Sequence, residues 1–236
     1  MVKFSVNEEI LDLYNYAESK QCKFYLVGGF VRDSIIGRKC VDIDSTGSLT
    51  LRDVVKYCQN LGLNYVVKSQ ELEVVSILFK SGINLEYARM RTEIYGSNTS
   101  HNPKVVNFTN SEEEDSLRRD FSINALYLNP ITLEIKDYHN GLCDLENKTI
   151  RMIKTQNGVS LDYDPERILR MIELRLRTGF LIEPKTMAKA IENLNNVKSL
   201  SVKRIQAFLQ KIKIYDLSSL DDNLLNMVNE IKLMTE

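Results

Sequence analysis

Residues 26–44 read LVGGFVRDSIIGRKCVDID, and the fold class turns on how this stretch is divided. The apolar run Phe24-Tyr25-Leu26-Val27 ends abruptly at Gly28-Gly29, the pattern of a buried strand stopping at a turn. Val31 to Ile36 then reads as a short helix closed by Gly37, and Val41 to Asp44 as the start of a second strand. Strand, glycine turn, helix and strand in immediate succession point to a sheet with helices packed on it.

The end of the same stretch carries the first chemical signal. In Asp42-Ile43-Asp44 the alternate residues of a strand share a face, so two carboxylates project together. Such a pair repels itself unless a cation lies between its members, and oxygen-only donors suit Mg²⁺. Upstream, Gly28-Gly29 would let the backbone approach a ligand at a helix start, and Arg32 lies one turn further in, where it can reach a phosphate oxygen. The competing reading of each motif is ordinary: a solvated strand edge for the Asp pair, a tight turn for the glycines.

On the N-terminal side, Ser5 and Glu8 have capping-box spacing ahead of a helix with Ile10, Leu13, Tyr14 and Ala17 on one stripe. On the C-terminal side, Thr50 and Asp53 repeat the box before Val54, Val55, Cys58 and Leu61. Tyr65–Lys68 reads as a strand, and Leu72–Phe79 and Ile83–Arg91 as a hairpin around Lys80-Ser81-Gly82. Glu86 lies in the second hairpin strand, where a neighbouring strand would set it beside Asp42 and Asp44 as a third carboxylate. The polar stretch Ile94 to Lys104 reads as a mobile loop. After Asn140-Gly141 the pattern turns helical: Asp164-Pro165 opens a strong helix, and others follow near 184–194, 201–214 and 221–234.

Whole-chain numbers conceal this division. The 236 residues carry 31 Lys+Arg and 32 Asp+Glu, a net charge of −1, yet residues 1–147 sum to −5, 148–213 to +8 and 214–236 to −4. An acidic front segment suits metal ions and a basic middle one suits phosphates. No apolar run approaches the roughly 18 residues a membrane span needs, and the N-terminus has acids where a secretory signal is apolar. A cytoplasmic protein without membrane contact is expected. Four scattered cysteines and two distant histidines form no zinc pattern. Nothing in the sequence speaks to oligomeric state.

Two further clusters stand out. Arg118-Arg119-Asp120 precedes the apolar anchor Phe121 to Leu126, which contains Asn124. Asp164 and Arg167 lie one helical turn apart, as an i,i+3 ion pair or as a carboxylate and guanidinium able to read the edge of a base.

Taken in order, LVGGFVRDSIIGRKCVDID, RRDFSINALYLNP (118–130) and DPERILRMIELRLRTGF (164–180) resemble the tRNA nucleotidyltransferase and bacterial poly(A) polymerase family, class II of the DNA polymerase beta superfamily. LSVKRIQAFLQKI (200–212) is similar to the family's later neck helix. The resemblance implies an α+β, polymerase-beta-like head of mixed sheet and helices over residues 1–140, a helical neck over 141–214 and a short C-terminal helix over 215–236, with the body truncated. It implies template-independent transfer of C and/or A from CTP or ATP to an RNA 3′ end, most simply that of tRNA, with release of pyrophosphate and two Mg²⁺ ions. It makes Asp42 and Asp44 the catalytic metal ligands and Glu86 the third acid. It assigns nucleotide binding to Gly28, Gly29, Arg32, Asp33, Arg118, Arg119, Asp120, Asn124, Asp164, Arg167 and Arg170. The chain departs from the family pattern at Tyr163, where Glu is usual before Asp164, at His101-Asn102 before Pro103, at Tyr138-His139 in the hinge, and at Lys203, where Glu is usual. The alternatives are poly(A)-type extension of another RNA, a small-molecule acceptor, and a nucleotide- or RNA-binding protein with little catalysis.

Overall fold

A computed structural model describes residues 4, 6–40, 42–95, 103–155 and 158–235. They fall into two compact units, one of Met1–Thr92, Val106–Arg119 and Ile123–Leu145, the other of Glu93–Val105, Asp120–Ser122 and Glu146–Glu236.

The first unit is built on a seven-stranded sheet. Helix α1 (Glu8–Ser19) precedes β1 (Phe24–Val27), α2 (Gly28–Ile35) and β2 (Ile43–Gly47). Then come α3 (Leu51–Leu61), β3 (Asn64–Ser69), β4 (Val74–Leu78) and β5 (Asn84–Arg89). A separate strand pair, β6 (Arg91–Ile94) and β7 (Val105–Phe108), leads to α4 (Glu112–Ser116), β8 (Leu126–Leu128), β9 (Ile135–Asp137) and α5 (Gly141–Glu146). The strand order is β3-β4-β5-β2-β1-β8-β9. Neighbours are antiparallel except β2 and β5, which run parallel.

Local chemistry accounts for most of these boundaries. Thr50 and Asp53 form the expected capping box on α3, and Gly62 ends that helix in the left-handed region at φ 63. The β4–β5 hairpin closes at Lys80-Ser81-Gly82, with Phe79 N–H bonded to Ile83 O at 2.9 Å. Strand β2 begins at Ile43, the expected start Val41 lying outside the described residues, and β4 begins at Val74 rather than Leu72. Two helix starts also differ from expectation, each for a local reason. Asn7 caps α1, its Oδ1 accepting from Glu9 N–H at 2.8 Å, so Glu8 is the first helical residue; Ser5 lies outside the described residues. Helix α2 starts at Gly28 itself rather than at Val31, because Gly28 adopts φ 69 and turns the chain directly from strand into helix.

One face of the sheet is the core. Phe24 and Tyr87 stack at 6.2 Å, Tyr14 of α1 meets Phe24 edge-on at 6.4 Å, and Ile10, Leu13 and Ala17 are fully buried. Strand β5 alternates over its first four residues, burying Leu85 and Tyr87 while exposing Asn84 and Glu86.

In the second unit, β10 (Thr149–Ile150) pairs in parallel with β13 (Leu181–Ile182), and β11 (Lys154–Thr155) pairs with β12 (Gly158–Val159). Around them are α6 (Glu166–Thr178), α7 (Pro184–Glu192), α8 (Val202–Ile212) and α9 (Asp222–Leu233), matching the helices read from the sequence. Helix α6 buries Ile168, Leu169, Met171, Ile172 and Leu174 and stops at Gly179, φ 75. No helix among the described residues is long and apolar enough to cross a membrane. The loop expected over 94–104 falls largely on residues 96–102, His101 and Asn102 included, outside the described residues.

Candidate active site

Strand β2 is central, and its register places the acids. Asp44 pairs with Val27 of β1 on one side and directly with Glu86 of β5 on the other. Residues opposite each other in parallel register share a face, and the buried partners Ile43, Leu85, Ser45 and Tyr87 occupy the other one. Asp44 and Glu86 therefore stand together on the face away from the aromatic core. Asp42, exposed and two residues before Asp44, precedes the same strand. Gly28 closes over Asp44: a Cβ built there would lie 2.9 Å from Asp44 Oδ2. The backbone thus approaches a carboxylate where a side chain would intrude.

The other residues of the first unit are locked to one another. Arg32 is 4% exposed; its Nε donates to Asp33 Oδ1 at 2.8 Å and its Nη1 to Asn124 Oδ1 at 2.5 Å. Helix α2 and the segment before β8 are thereby joined by two residues read as separate motifs in the sequence. Arg118 Nε and Arg119 Nη2 both reach fully buried Asp115, at 2.8 and 2.9 Å, and Arg119 Nε donates to Tyr127 Oη at 2.8 Å. Tyr127 in turn donates to Asp115 Oδ2 at 2.6 Å. Burial pushes the Asp115 carboxyl up, but the two guanidiniums and the tyrosine hydroxyl outweigh it and hold it far below the usual range. A permanent anion fixes both arginines.

In the second unit, Asp120 Oδ2 receives Arg170 Nη2 at 2.8 Å, and Asp120 O accepts from Ser160 Oγ at 2.6 Å. Asp164 Oδ1 caps α6 through Glu166 N–H at 2.9 Å, while its Oδ2 lies 3.9 Å from Arg167 Nε. Arg167, 5% exposed, also donates from Nη1 to Ser160 O at 3.0 Å. The acid and the arginine one turn apart thus do share a helix face.

Residues 24–151, more than half of the chain, match the poly A polymerase head domain. The chain belongs to that family. Over 229 residues it is 30% identical to the mitochondrial CCA tRNA nucleotidyltransferase of Saccharomyces cerevisiae, with 86% of this chain and 41% of that protein covered. Over 171 residues it is 32% identical to poly(A) polymerase I of Escherichia coli, covering 69% of this chain and 36% of that one. A solved complex of a CCA-adding enzyme with ATP superposes with a TM-score of 0.71 at 26% identity, over 97% of this chain and 52% of the other. The chain spans less than half the length of these two curated relatives.

The local sequence pattern does not single out Asp115 and Tyr127 in the first unit or Tyr95 and Ser160 in the second. Asp115 did leave a signal, its i+3 and i+4 spacing to Arg118 and Arg119, which the surrounding acidic run 112–115 obscures. The contacts of Ser160 and Tyr127 span long sequence separations and carry no local pattern. The donor set also bears on metal binding. Among the described residues no three His, Cys, Asp or Glu side chains form a metal-holding group. Mg²⁺ typically binds through one or two carboxylates and completes its shell with water and substrate phosphate. Asp44 with Glu86 opposite it fits that habit, and a Cβ-free glycine beside Asp44 leaves room for it, while Asp42, which precedes the strand, is not gathered with them into a three-acid group.

Proposed function

We propose that the chain is a template-independent RNA nucleotidyltransferase that adds C and/or A, from CTP and ATP, to a tRNA 3′ end and releases pyrophosphate. The observation that carries the reading is the direct Asp44–Glu86 register under the Gly28 backbone, in a chain of the poly A polymerase head-domain family. The name of the yeast relative, and the ATP complex of the similar structure, point to the same substrates.

In this reading Asp42 and Asp44 hold Mg²⁺, which when bound neutralises charge on the attacking and leaving oxygens. Glu86, opposite Asp44, accepts the proton of the RNA 3′-hydroxyl, whose oxygen attacks the α-phosphorus as pyrophosphate departs. Gly28 and Gly29 let the triphosphate approach the start of α2. Arg32, Asp33 and Asn124 form the buried wall behind it, and Asp115 aims Arg118 and Arg119 at the sugar and phosphates. Asp164 and Arg167 select the base: a carboxylate accepts from an exocyclic amine, which C and A both carry and U lacks. Asp120, through Arg170, supports that helix.

The test is to incubate the protein with tRNAs lacking one, two or three 3′ nucleotides and each nucleoside triphosphate singly, then sequence the products. Defined C and A additions that vanish in Asp42→Ala/Asp44→Ala are expected. Long A tails on any RNA would move the reading to poly(A)-type extension; unchanged incorporation by the double variant would refute it.

A further inference from the structure

The arginine assigned to base reading has a support that its own helix does not supply. Tyr163, where the resembled family usually has Glu, is locked in place: its hydroxyl lies 2.9 Å from Thr155 Oγ1, and Thr155 donates its own proton to Gly158 O at 3.1 Å. The β11–β12 turn closes on this tyrosine because residue 158 is glycine, at φ 148. A Cβ there would stand 3.2 Å from the Tyr163 hydroxyl and 2.9 Å from Asp162 Oδ2.

Tyr95 stacks on the Tyr163 ring, with centroids 5.5 Å apart and planes inclined by 20°. The Tyr95 hydroxyl donates to Glu93 Oε2 at 2.6 Å, so this ring is held at its face and at its tip. The Arg167 guanidinium carbon lies 5.9 Å from the Tyr95 centroid, at the outer limit of a cation–π contact. The Tyr95 ring, the Ser160 carbonyl and the Asp164 carboxylate are all neighbours of the guanidinium. A guanidinium is a planar fork, and it discriminates between bases only while its plane is held.

We propose that Tyr95 and Tyr163 are positioning residues for base selection, the stacked pair presenting the Tyr95 face to Arg167 and so directing its donors at the incoming base. This rests on the assignment of Asp164 and Arg167 as the base-reading pair.

The experiment is equilibrium binding of CTP, ATP, GTP, UTP and tripolyphosphate to the full chain and its variants. Wild type is expected to prefer CTP and ATP, and Arg167→Ala to lose that preference. Tyr95→Leu and Tyr163→Leu, which keep bulk but remove the stack, lower the preference at least tenfold, and Tyr95→Phe restores it to within twofold. Tripolyphosphate affinity stays within twofold throughout. Thr155→Val, which frees the Tyr163 hydroxyl without touching either ring, lowers the preference about threefold and serves where a leucine variant does not fold. Retention of the full preference by Tyr95→Leu or by Thr155→Val overturns the positioning role, and so does an equal loss of tripolyphosphate binding. If wild type binds all four nucleotides alike, or Arg167→Ala keeps the preference, the base-reading assignment itself fails and the tyrosines fall with it. Loss in Arg167→Ala but not in Tyr95→Leu removes the tyrosines alone.

Discussion

Gly28 tests how closely the backbone must approach Asp44. It sits at φ 69, and a Cβ would fall 2.9 Å from Asp44 Oδ2. Alanine at a positive φ costs about 1 kcal/mol in backbone strain. The cost to the site is larger, because the methyl displaces the carboxylate proposed to hold the metal. Gly28→Ala is expected to lower kcat/KM for nucleotide incorporation more than tenfold while the protein unfolds only a few degrees earlier; activity within twofold of wild type would show that the close approach is incidental. Asp115 is the reverse case, a residue whose loss acts first on stability. It is fully buried and pairs with both Arg118 and Arg119. Removing one partner of a buried ion network typically costs about 3–5 kcal/mol, because the remaining charges stay desolvated. Asp115→Ala should shift the urea midpoint accordingly, and Tyr127→Phe, which removes one hydrogen bond to the same carboxylate, by about 1 kcal/mol. Equal, small shifts for the two variants would mean that the arginines do not depend on Asp115.

At the scale of elements, the edges of strands and helices are tied by contacts that cross the sequence. Gly47 ends β2 where a Cβ would stand 2.2 Å from Lys23 O, a backbone atom that cannot step aside. Gly47→Ala should cost about 2–3 kcal/mol, read as a lower thermal midpoint. Glu112, first residue of α4, is bound by Lys23 at 2.8 Å and by Lys136 of β9 at 2.7 Å, and Lys136 also donates to Tyr25 of β1 at 2.9 Å. Burial alone would raise the Glu112 carboxyl; the two lysines and Tyr25 outweigh it and hold it at about 2, against an ordinary 4.5. Because the folded state releases this proton more readily than the unfolded one, the stabilisation is complete above the unfolded value and lost as pH falls from about 4.5 to about 2. With both lysines half exposed and screened, Glu112→Gln should cost only about 1–2 kcal/mol at pH 7, fading across that window; a pH-independent difference would contradict the linkage. None of these ties was legible in the sequence. The strand at 24–27, the Thr50–Asp53 box and the hairpin around Ser81 were, because periodicity, caps and turns are written within a few residues. The strand at 126–128 was hidden, since a three-residue run buried throughout shows no alternation. The facing of Asp44 and Glu86 is not written in either segment, because register between strands about 40 residues apart belongs to the sheet and not to either strand.

On the scale of the whole molecule, the net charge of −1 is the least informative number, because residues 148–213 alone sum to +8. Some of that charge is already committed within the second unit: Arg204 pairs with Glu166 at 3.3 Å, Lys211 with Glu173 at 2.7 Å, and Lys189 with Asp162 at 2.8 Å. Lys203 and Lys213, by contrast, are exposed and line, with Lys232, a recess of about 770 Å³ between α8 and the end of α9. Three lysines lining one concave surface favour positive potential there, which suits phosphates. For the proposed RNA acceptor, cations reaching phosphates release counterions, so affinity falls as a power of the salt concentration. Contact by about four cations implies a log–log slope near −3, that is roughly a fiftyfold loss between 50 and 200 mM salt. Lys203→Glu together with Lys213→Glu should flatten that slope by about 1 to 2 and weaken RNA binding, while leaving CTP and ATP affinity unchanged, because nucleotide selection is assigned to Asp164 and Arg167. Filter binding across a salt series separates the outcomes. A shallow slope in wild type would remove RNA as the partner of this segment, and an unchanged slope in the double variant would move the RNA contact to other cations of the chain.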